Sequence, residues 1–322
     1  MTAPRPARPR ASLGEFFRRP PPVDAALPEA LIARSTLPIA VVVVTHFSGE
    51  VLRACLESIP EATEHDVRVV VVDNATTDDS VRRVVEKRPE VVFHETGENL
   101  GYGKAVNYAV DRLEPDVEWI LVTNPDTVFL PGSIDLLFEA ASADPAIGSI
   151  GPRILDSDGT IYPSARALPS LGTGVGHALL AHVWPGNPWS ATYRRSSAVA
   201  TLEHGSMTAG WLSGACVMVR RSAFEQIGGF DERYFMYFED VQLGDTLGHR
   251  GWSNVYLADA VVSHLGGHST RLASARMLAV HHRSAYLYLA QKYGAWYQAP
   301  IRLAVRLGLT ARVTLMRLRP QR

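Results

Sequence analysis

Short β-branched runs that each stop at polar residues organise the first half of the chain. Ile39-Ala40-Val41-Val42-Val43-Val44 ends at Thr45-His46, and an amphipathic stretch from Val51 to Ile59 follows. A continuous apolar run of this length predicts a strand buried on both faces, and the stretch after it predicts a helix. The unit recurs: Val67 to Val72 ends in Asp73-Asn74, and Thr77-Asp78-Asp79-Ser80 then offers a helix N-cap. Val91 to His94 predicts a third strand. Asn99-Leu100-Gly101-Tyr102-Gly103-Lys104 opens a helix through Asn107 to Leu113, and Trp119 to Thr123 predicts the next strand, ending in Asn124-Pro125-Asp126. This alternation predicts an α/β fold with a mainly parallel central sheet flanked by helices. In such sheets ligands sit beyond the carboxyl ends of the strands. Thr45, Asp73 and Asp126 fall at those ends.

Elsewhere the pattern fades. Residues 1–37 are rich in Pro, Arg and Ala and read as a flexible arm, because they bury too little surface to fold alone. From Ser164 to Thr208 the chain is rich in Gly, Pro, Trp and Ser without periodicity, and reads as a long excursion over the site. An apolar block, Gly214 to Val219, returns to compact structure. Residues 276–319 read as helical, with leucines mixed among arginines. The chain thus divides into an arm (1–37), a principal domain (38–270) and C-terminal basic amphipathic helices (271–322). No apolar run approaches the roughly 18 residues of a membrane span.

Composition narrows the classes. With 322 residues, 46% of them hydrophobic, the chain can bury a substantial core, which excludes global disorder. The net charge of −1 hides basic ends: Arg5, Arg8, Arg10, Arg18 and Arg19 stand against Glu15 alone, and the last 23 residues contain no acid. Cys55 and Cys216, the whole cysteine complement, exclude a disulfide framework or a cysteine metal cage and point to a cytoplasmic setting. The first residues hold arginine but no apolar stretch before Pro20-Pro21-Pro22, so they do not read as a secretory signal.

Two common phosphate-binding explanations fail. Thr45-His46-Phe47-Ser48-Gly49 lacks the Gly-x-Gly-x-x-Gly turn, Gly101-Tyr102-Gly103 has Val106 where a third glycine belongs, and no P-loop sequence occurs. A dinucleotide-dependent oxidoreductase and a P-loop NTPase are therefore disfavoured. Asp73 is placed to accept the N3–H of a uracil or thymine ring, or to make an Asx turn. Asp126, after Asn124-Pro125, is placed to bind a divalent cation bridging two phosphates, or simply to make a turn. Phe235-Met236-Tyr237-Phe238-Glu239-Asp240 sets adjacent carboxylates against bulky apolar residues. That surround raises a carboxylate's pKa and suits a general base; a helix N-terminus with acids in its first turn is the plainer explanation. His264 and His268 are candidate imidazole ligands or structural histidines.

Together these motifs resemble the family 2 nucleotide-sugar glycosyltransferases of GT-A fold, over about residues 38–270. The chain looks most like bacterial rhamnosyltransferases that build cell-surface polysaccharide and the mycobacterial cell-wall linker. The resemblance rests on Val72-Asp73-Asn74, Glu98-Asn99-Leu100-Gly101-Tyr102-Gly103, Asn124-Pro125-Asp126, Gly214-Ala215 with Arg220-Arg221, and Gly229-Phe230-Asp231-Glu232 running into Glu239-Asp240. It implies a donor half at about 38–130 and an acceptor half at about 131–270. Thr45, Asp73, Asn99, Lys104 and Asn124 would bind the donor. Asp126, with His264, would hold Mg²⁺ or Mn²⁺, and Asp240, beside Glu239, would be the catalytic base of an inverting transfer. Trp211, Ser213 and Gly214 would line the sugar or acceptor pocket. Two departures stand out: Asn124 replaces the first Asp of the usual Asp-x-Asp, and Gln242 and Thr246 stand where many relatives carry a further Asp and an Arg.

The acid-free tail suits an anionic membrane surface, or a solvated helix packed on the domain. On the membrane reading the partners are a dTDP- or UDP-sugar donor and a polyprenyl-diphosphate-linked sugar, GlcNAc by the resemblance, with the enzyme peripheral at the inner face of the cell membrane. A homo-oligomer stays open. A catalytically silent nucleotide-sugar or polysaccharide-binding module is the competing class. A nucleic-acid partner is disfavoured, since acids at the cleft repel phosphate.

Overall fold

Strand β1 (Ile39–Thr45) is buried along its whole length and runs parallel to both neighbours, β2 (Val67–Asp73) and β4 (Trp119–Thr123). Its unbroken apolar run follows from a sheet covered on two faces. Ile39, Val41 and Val43 pack with Leu52, Cys55 and Ile59 of helix α1 (Gly49–Ala62), while Ala40, Val42 and Val44 pack with Ala105, Val106 and Ala109 of α3 (Tyr102–Val110). Each fully buried valine contributes roughly 1.5–3 kcal/mol. Such a strand is the rigid base from which its polar exit, Thr45 onward, projects.

The computed structural model describes residues 38–169, 202–264 and 274–318. The expected arm at 1–37, His268, and the centre of the 164–208 excursion lie outside them. After α2 (Ser80–Val85), β3 (Val92–Glu95) pairs parallel with β2. Beyond β4 come β5 (Thr127–Phe129), α4 (Ser133–Ala143), β6 (Ile147–Asp156), β7 (Ile161–Tyr162) and β8 (Ala165–Arg166). Then follow β9 (Ser206–Ala209), β10 (Trp211–Leu212), β11 (Cys216–Arg220), α5 (Arg221–Ile227), α6 (Glu239–His249) and β12 (Ser253–His264).

The main sheet runs β3-β2-β1-β4-β11-β6-β12-β5, with β7 on β6 and β9 on β12; β8 and β10 form a separate pair. Four of the seven neighbouring pairs along that order are parallel. The parallel set runs unbroken from β3 to β4, as the alternation predicts. Beyond it β11 enters antiparallel to β4 and β6, and β5 pairs antiparallel with the far end of β12, so that His264 lies opposite Thr127. This pairing carries His264 to the turn that follows β4.

The C-terminal helical stretch is two helices. Helix α7 (Ser274–Lys292) ends near Gly294, a 3₁₀ turn covers Trp296–Gln298, and α8 (Ala299–Leu318) begins with Pro300 in its first turn. Glycine ends helices readily, and proline is tolerated only where no intrahelical N–H is needed. Tyr288 of α7 packs with Tyr234, Val241 and Phe238 of the principal domain. Among the described residues no helix is long and apolar enough to cross a membrane.

Candidate functional site

The exits of β1 and β2 make one polar cluster. Thr45 and Asp73 face each other in register, both buried, and the Thr45 hydroxyl donates to Asp73 Oδ1 at 3.2 Å. Thr76 donates a very short bond to the same oxygen. Both hydroxyls thus converge on Oδ1, and Oδ2 is left for another donor. Asn74, also buried, is the hub: its amide donates to Asn99 Oδ1 (3.0 Å) and to the Gly101 carbonyl (3.2 Å), and its Oδ1 accepts from Leu100 N–H (2.8 Å). Its carbonyl meets His46 Nδ1 at 2.8 Å, while Asn99 Nδ2 approaches His46 Nε2 at 3.4 Å. Phe47 and Ala75 just past the two strands have positive φ, 53° and 64°. Non-glycine residues hold that conformation only where the surroundings fix it.

Beyond β4, His264 Nε2 lies 3.1 Å from Asp126 Oδ1 and 3.2 Å from Asn124 Nδ2. Both ionisable side chains are largely buried, so a carboxylate and an imidazole converge on one point with an amide beside them. Asn124 N–H and the hydroxyls of Thr123 and Thr127 all donate to the Ala215 carbonyl, which ties this turn to the β10–β11 connection.

That connection meets the carboxylates. Gly214 N–H donates to Asp240 Oδ2 at 3.2 Å, and Val241 N–H donates to Oδ1 at 2.8 Å. Gly214's carbonyl accepts from the Tyr102 hydroxyl at 2.5 Å. Burial raises Asp240's pKa, opposed by the two N–H donors and the Arg166 charge. Glu239 is raised by burial and by the Asp240 charge, and its Oε2 is buried with no hydrogen-bond partner. The two environments differ: Asp240 receives two N–H donors while a buried Glu239 oxygen receives none, which favours negative charge on Asp240 over Glu239. Tyr237 and Phe238 reach this position through positive φ, 66° and 69°, and the chain turns directly from Phe238 into α6. A Cβ on Gly101 would stand 2.2 Å from the Phe235 carbonyl oxygen, which accepts Tyr102 N–H at 3.0 Å. The loop of the first cluster is therefore fastened to the turn carrying Glu239-Asp240.

Thr45, Asp73, Asn99, Asn124, Asp126, His264, Gly214 and Asp240 are thus joined by hydrogen bonds that run from strand exit to strand exit, with Glu239 beside Asp240 in the chain. Lys104 lies apart: it is exposed and pairs with Glu232 at 3.7 Å. Ser213 is buried, and its hydroxyl accepts Ala215 N–H at 3.3 Å, which shapes the turn. Trp211 is partly buried against the cluster of Tyr234, Val241 and Tyr288, and donates its indole N–H to Ala167 O at 3.2 Å. Four contributors escaped the sequence reading as site residues: Asn74, Thr76, Tyr102 and Arg166. Asn74 and Tyr102 lie inside motifs that the sequence does display. Arg166 sits in the aperiodic region, and its guanidinium is 5.5 Å from the Trp211 ring centre.

Comparison with known proteins gives this arrangement a lineage. Residues 40–228 match the family described as Glycosyl transferase family 2. The N-acetylglucosaminyl-diphospho-decaprenol L-rhamnosyltransferase of Mycobacterium tuberculosis is 47% identical over 287 residues, 86% of this chain and 92% of that protein. Rhamnosyltransferase WbbL of Escherichia coli K12 is 23% identical over 260 residues, 79% of this chain and 93% of its own. In fold, the mannosyltransferase PcManGT of Pyrobaculum calidifontis, solved with GDP-Man and Mn²⁺, superposes with a TM-score of 0.55 at 17% identity, covering 88% of this chain and 76% of its own. With the family match spanning more than half the chain and a relative at 47% identity along most of its length, this protein belongs to glycosyl transferase family 2 and has the GT-A fold.

Proposed function

We propose that the protein moves L-rhamnose, with inversion, from dTDP-rhamnose to a hydroxyl of a lipid-diphosphate-linked N-acetylglucosamine at the inner face of the cell membrane. The rhamnosyl and acceptor assignments are supported by the mycobacterial relative's name. The observation that carries the chemistry is Asp240, a carboxylate of raised pKa held at a fixed angle by two backbone N–H groups.

On this reading the donor's base lies at the β1 and β2 exits, where Asp73 Oδ2 accepts the thymine N3–H and Thr45 and Thr76 hold Oδ1. Asn99 and Asn124 border the ribose and diphosphate. The residues at the β4 exit fit a divalent cation: the Asp126 carboxylate and the His264 imidazole, 3.1 Å apart, would hold it. A bound Mg²⁺ or Mn²⁺ there supplies positive charge against the departing diphosphate.

Asp240 takes the proton of the acceptor hydroxyl. The oxygen forms a bond to the anomeric carbon from the face opposite the diphosphate, and the bond from that carbon to the diphosphate oxygen breaks. One displacement inverts the configuration. Glu239, kept protonated by its neighbour's charge and its own burial, avoids a second negative charge beside the base. Gly214 leaves the space in front of Asp240 that a side chain would fill, since a Cβ there would lie 3.6 Å from that of Asp240.

The test is turnover of a panel of dTDP-, UDP- and GDP-sugars with a GlcNAc-diphosphate lipid, with EDTA and after re-addition of Mn²⁺ or Mg²⁺. Transfer from dTDP-rhamnose that EDTA abolishes and either ion restores is the expected result. Transfer from another donor alone refutes the sugar, and donor binding without transfer to any acceptor favours a binding module.

A further inference from the structure

The face of α8 turned away from α7 is apolar where a solvated helix would be polar. Helix α8 packs on α7 through Arg302 and Val305, which border Tyr286, Leu289 and Tyr293. Opposite that contact Leu303 and Leu307, one turn apart, are 57% and 61% exposed, and the preceding turn holds Trp296 at 85% and Tyr297 at 67%. Leu303 and Leu307 share one face of the helix at this spacing, and the two exposed aromatics stand on the 3₁₀ turn at its N-terminal end. Exposed Trp and Leu in a row, unlike scattered apolar residues, mark a contact surface.

Charge selects the occupant. The 63 residues after Asp259 contain ten Lys or Arg and no Asp or Glu. Arg306 is exposed beside the stripe, and Arg312, Arg317, Arg319 and Arg322 follow in the sequence. An apolar stripe with aromatics near its start, Arg306 alongside and further arginines following in the sequence suits the boundary between acyl chains and anionic headgroups. A second protein chain would have to provide compensating acids, and this chain's own C-terminal part has none. A nucleic acid would use the arginines but leave Leu303 and Leu307 in water.

We infer that the stripe Trp296, Tyr297, Leu303 and Leu307 of the C-terminal helix pair lies in an anionic bilayer surface, and that this contact brings the cleft to its lipid-borne acceptor. The inference draws its purpose from the proposed lipid acceptor, while the docking itself is measured without it. Helix α7 links the two regions directly, because Ser284 and Tyr288 bond to the segment that presents Asp240.

The test is co-sedimentation of the full chain with phosphatidylglycerol-containing vesicles and with pure phosphatidylcholine vesicles. Alongside it, transfer is measured on a water-soluble short-chain GlcNAc-diphosphate acceptor and on the same acceptor with a long polyprenyl chain in vesicles. Expected are at least about tenfold tighter binding to the anionic vesicles, weakened by salt, and about tenfold weaker binding for Leu303→Asp with Leu307→Asp. Arg306→Glu should weaken binding without touching the apolar stripe, a check that survives if the double variant folds poorly. Both variants should keep wild-type transfer to the soluble acceptor and lose it selectively on vesicles. Wild-type vesicle binding by both variants overturns the inference, as does an absence of vesicle binding or a change from dimer to monomer in the double variant. Vesicle binding with no transfer to either acceptor would instead sink the proposed reaction and leave the docking surface standing.

Discussion

Asp240 and Glu239 are consecutive carboxyls in unlike surroundings, and their difference is a matter of single hydrogen bonds. Asp240 receives two N–H donors; one Glu239 oxygen receives none. On the proposed mechanism Asp240→Asn keeps the shape and removes the base, so kcat should fall by about 10²–10⁴-fold with the donor Kd unchanged, read by single-turnover transfer and calorimetry. Glu239 gives a prediction of stability. Its folded pKa lies above the unfolded value, so between the two the folded protein binds more protons than the unfolded chain. Stability therefore falls as pH rises through that window. Glu239→Gln removes this dependence, and its melting temperature should gain on the wild type as pH rises from the ordinary carboxylate range to mildly alkaline values. A constant difference between the two proteins across that range would refute the account of the pair. The sequence displayed these acids because aromatic residues precede them, and the strand exits displayed Thr45, Asp73 and Asp126 for the same local reason. It could not display Asn74 as a hub or Arg166 as a neighbour of Asp240, since both roles depend on contacts made by folding.

At the scale of elements, the site is held by fasteners between segments distant in sequence. Gly101 has φ of 84° and lies against the Phe235 carbonyl, so Gly101→Ala meets both a disfavoured backbone and a clash. A loss of roughly 2 kcal/mol or more is expected in urea unfolding; a neutral result would contradict the close approach. Helix α7 is the second fastener. Ser284 donates to the Met236 carbonyl at 2.8 Å, Tyr288 donates to Asp245 Oδ2 at 2.8 Å, and His281 stacks edge-on with Tyr237 and Phe238. These are positioning residues for the strained turn before Asp240. Ser284→Ala should lower kcat about fivefold at unchanged KM, the equivalent of a bond worth about 1 kcal/mol, and Ser284→Thr should restore it. A rise in KM alone would place Ser284 elsewhere in the account.

Across the whole molecule, the parallel half of the sheet was legible because each strand is a buried β-branched run with its helix close behind. The half built from β6, β11 and β12 was not, because its pairings, parallel between β6 and β12 and antiparallel for β11, join strands distant in sequence and leave no local period. That half carries His264 back to Asp126 and Gly214 to Asp240: the resemblance pairs the first two, but the local pattern offers no link between the second two. Charge is arranged at the same scale: carboxylates gather at the cleft, and the C-terminal helices contain no acid. On the proposed function both features would serve a single displacement on a lipid-borne acceptor. The measurement that tests this most directly is the anomeric configuration of the product sugar, read by NMR after transfer from a donor of defined configuration. Inversion is the expected result. Retention would mean that Asp240 does not activate the attacking hydroxyl in one step, and the assignment of the base would fall with it.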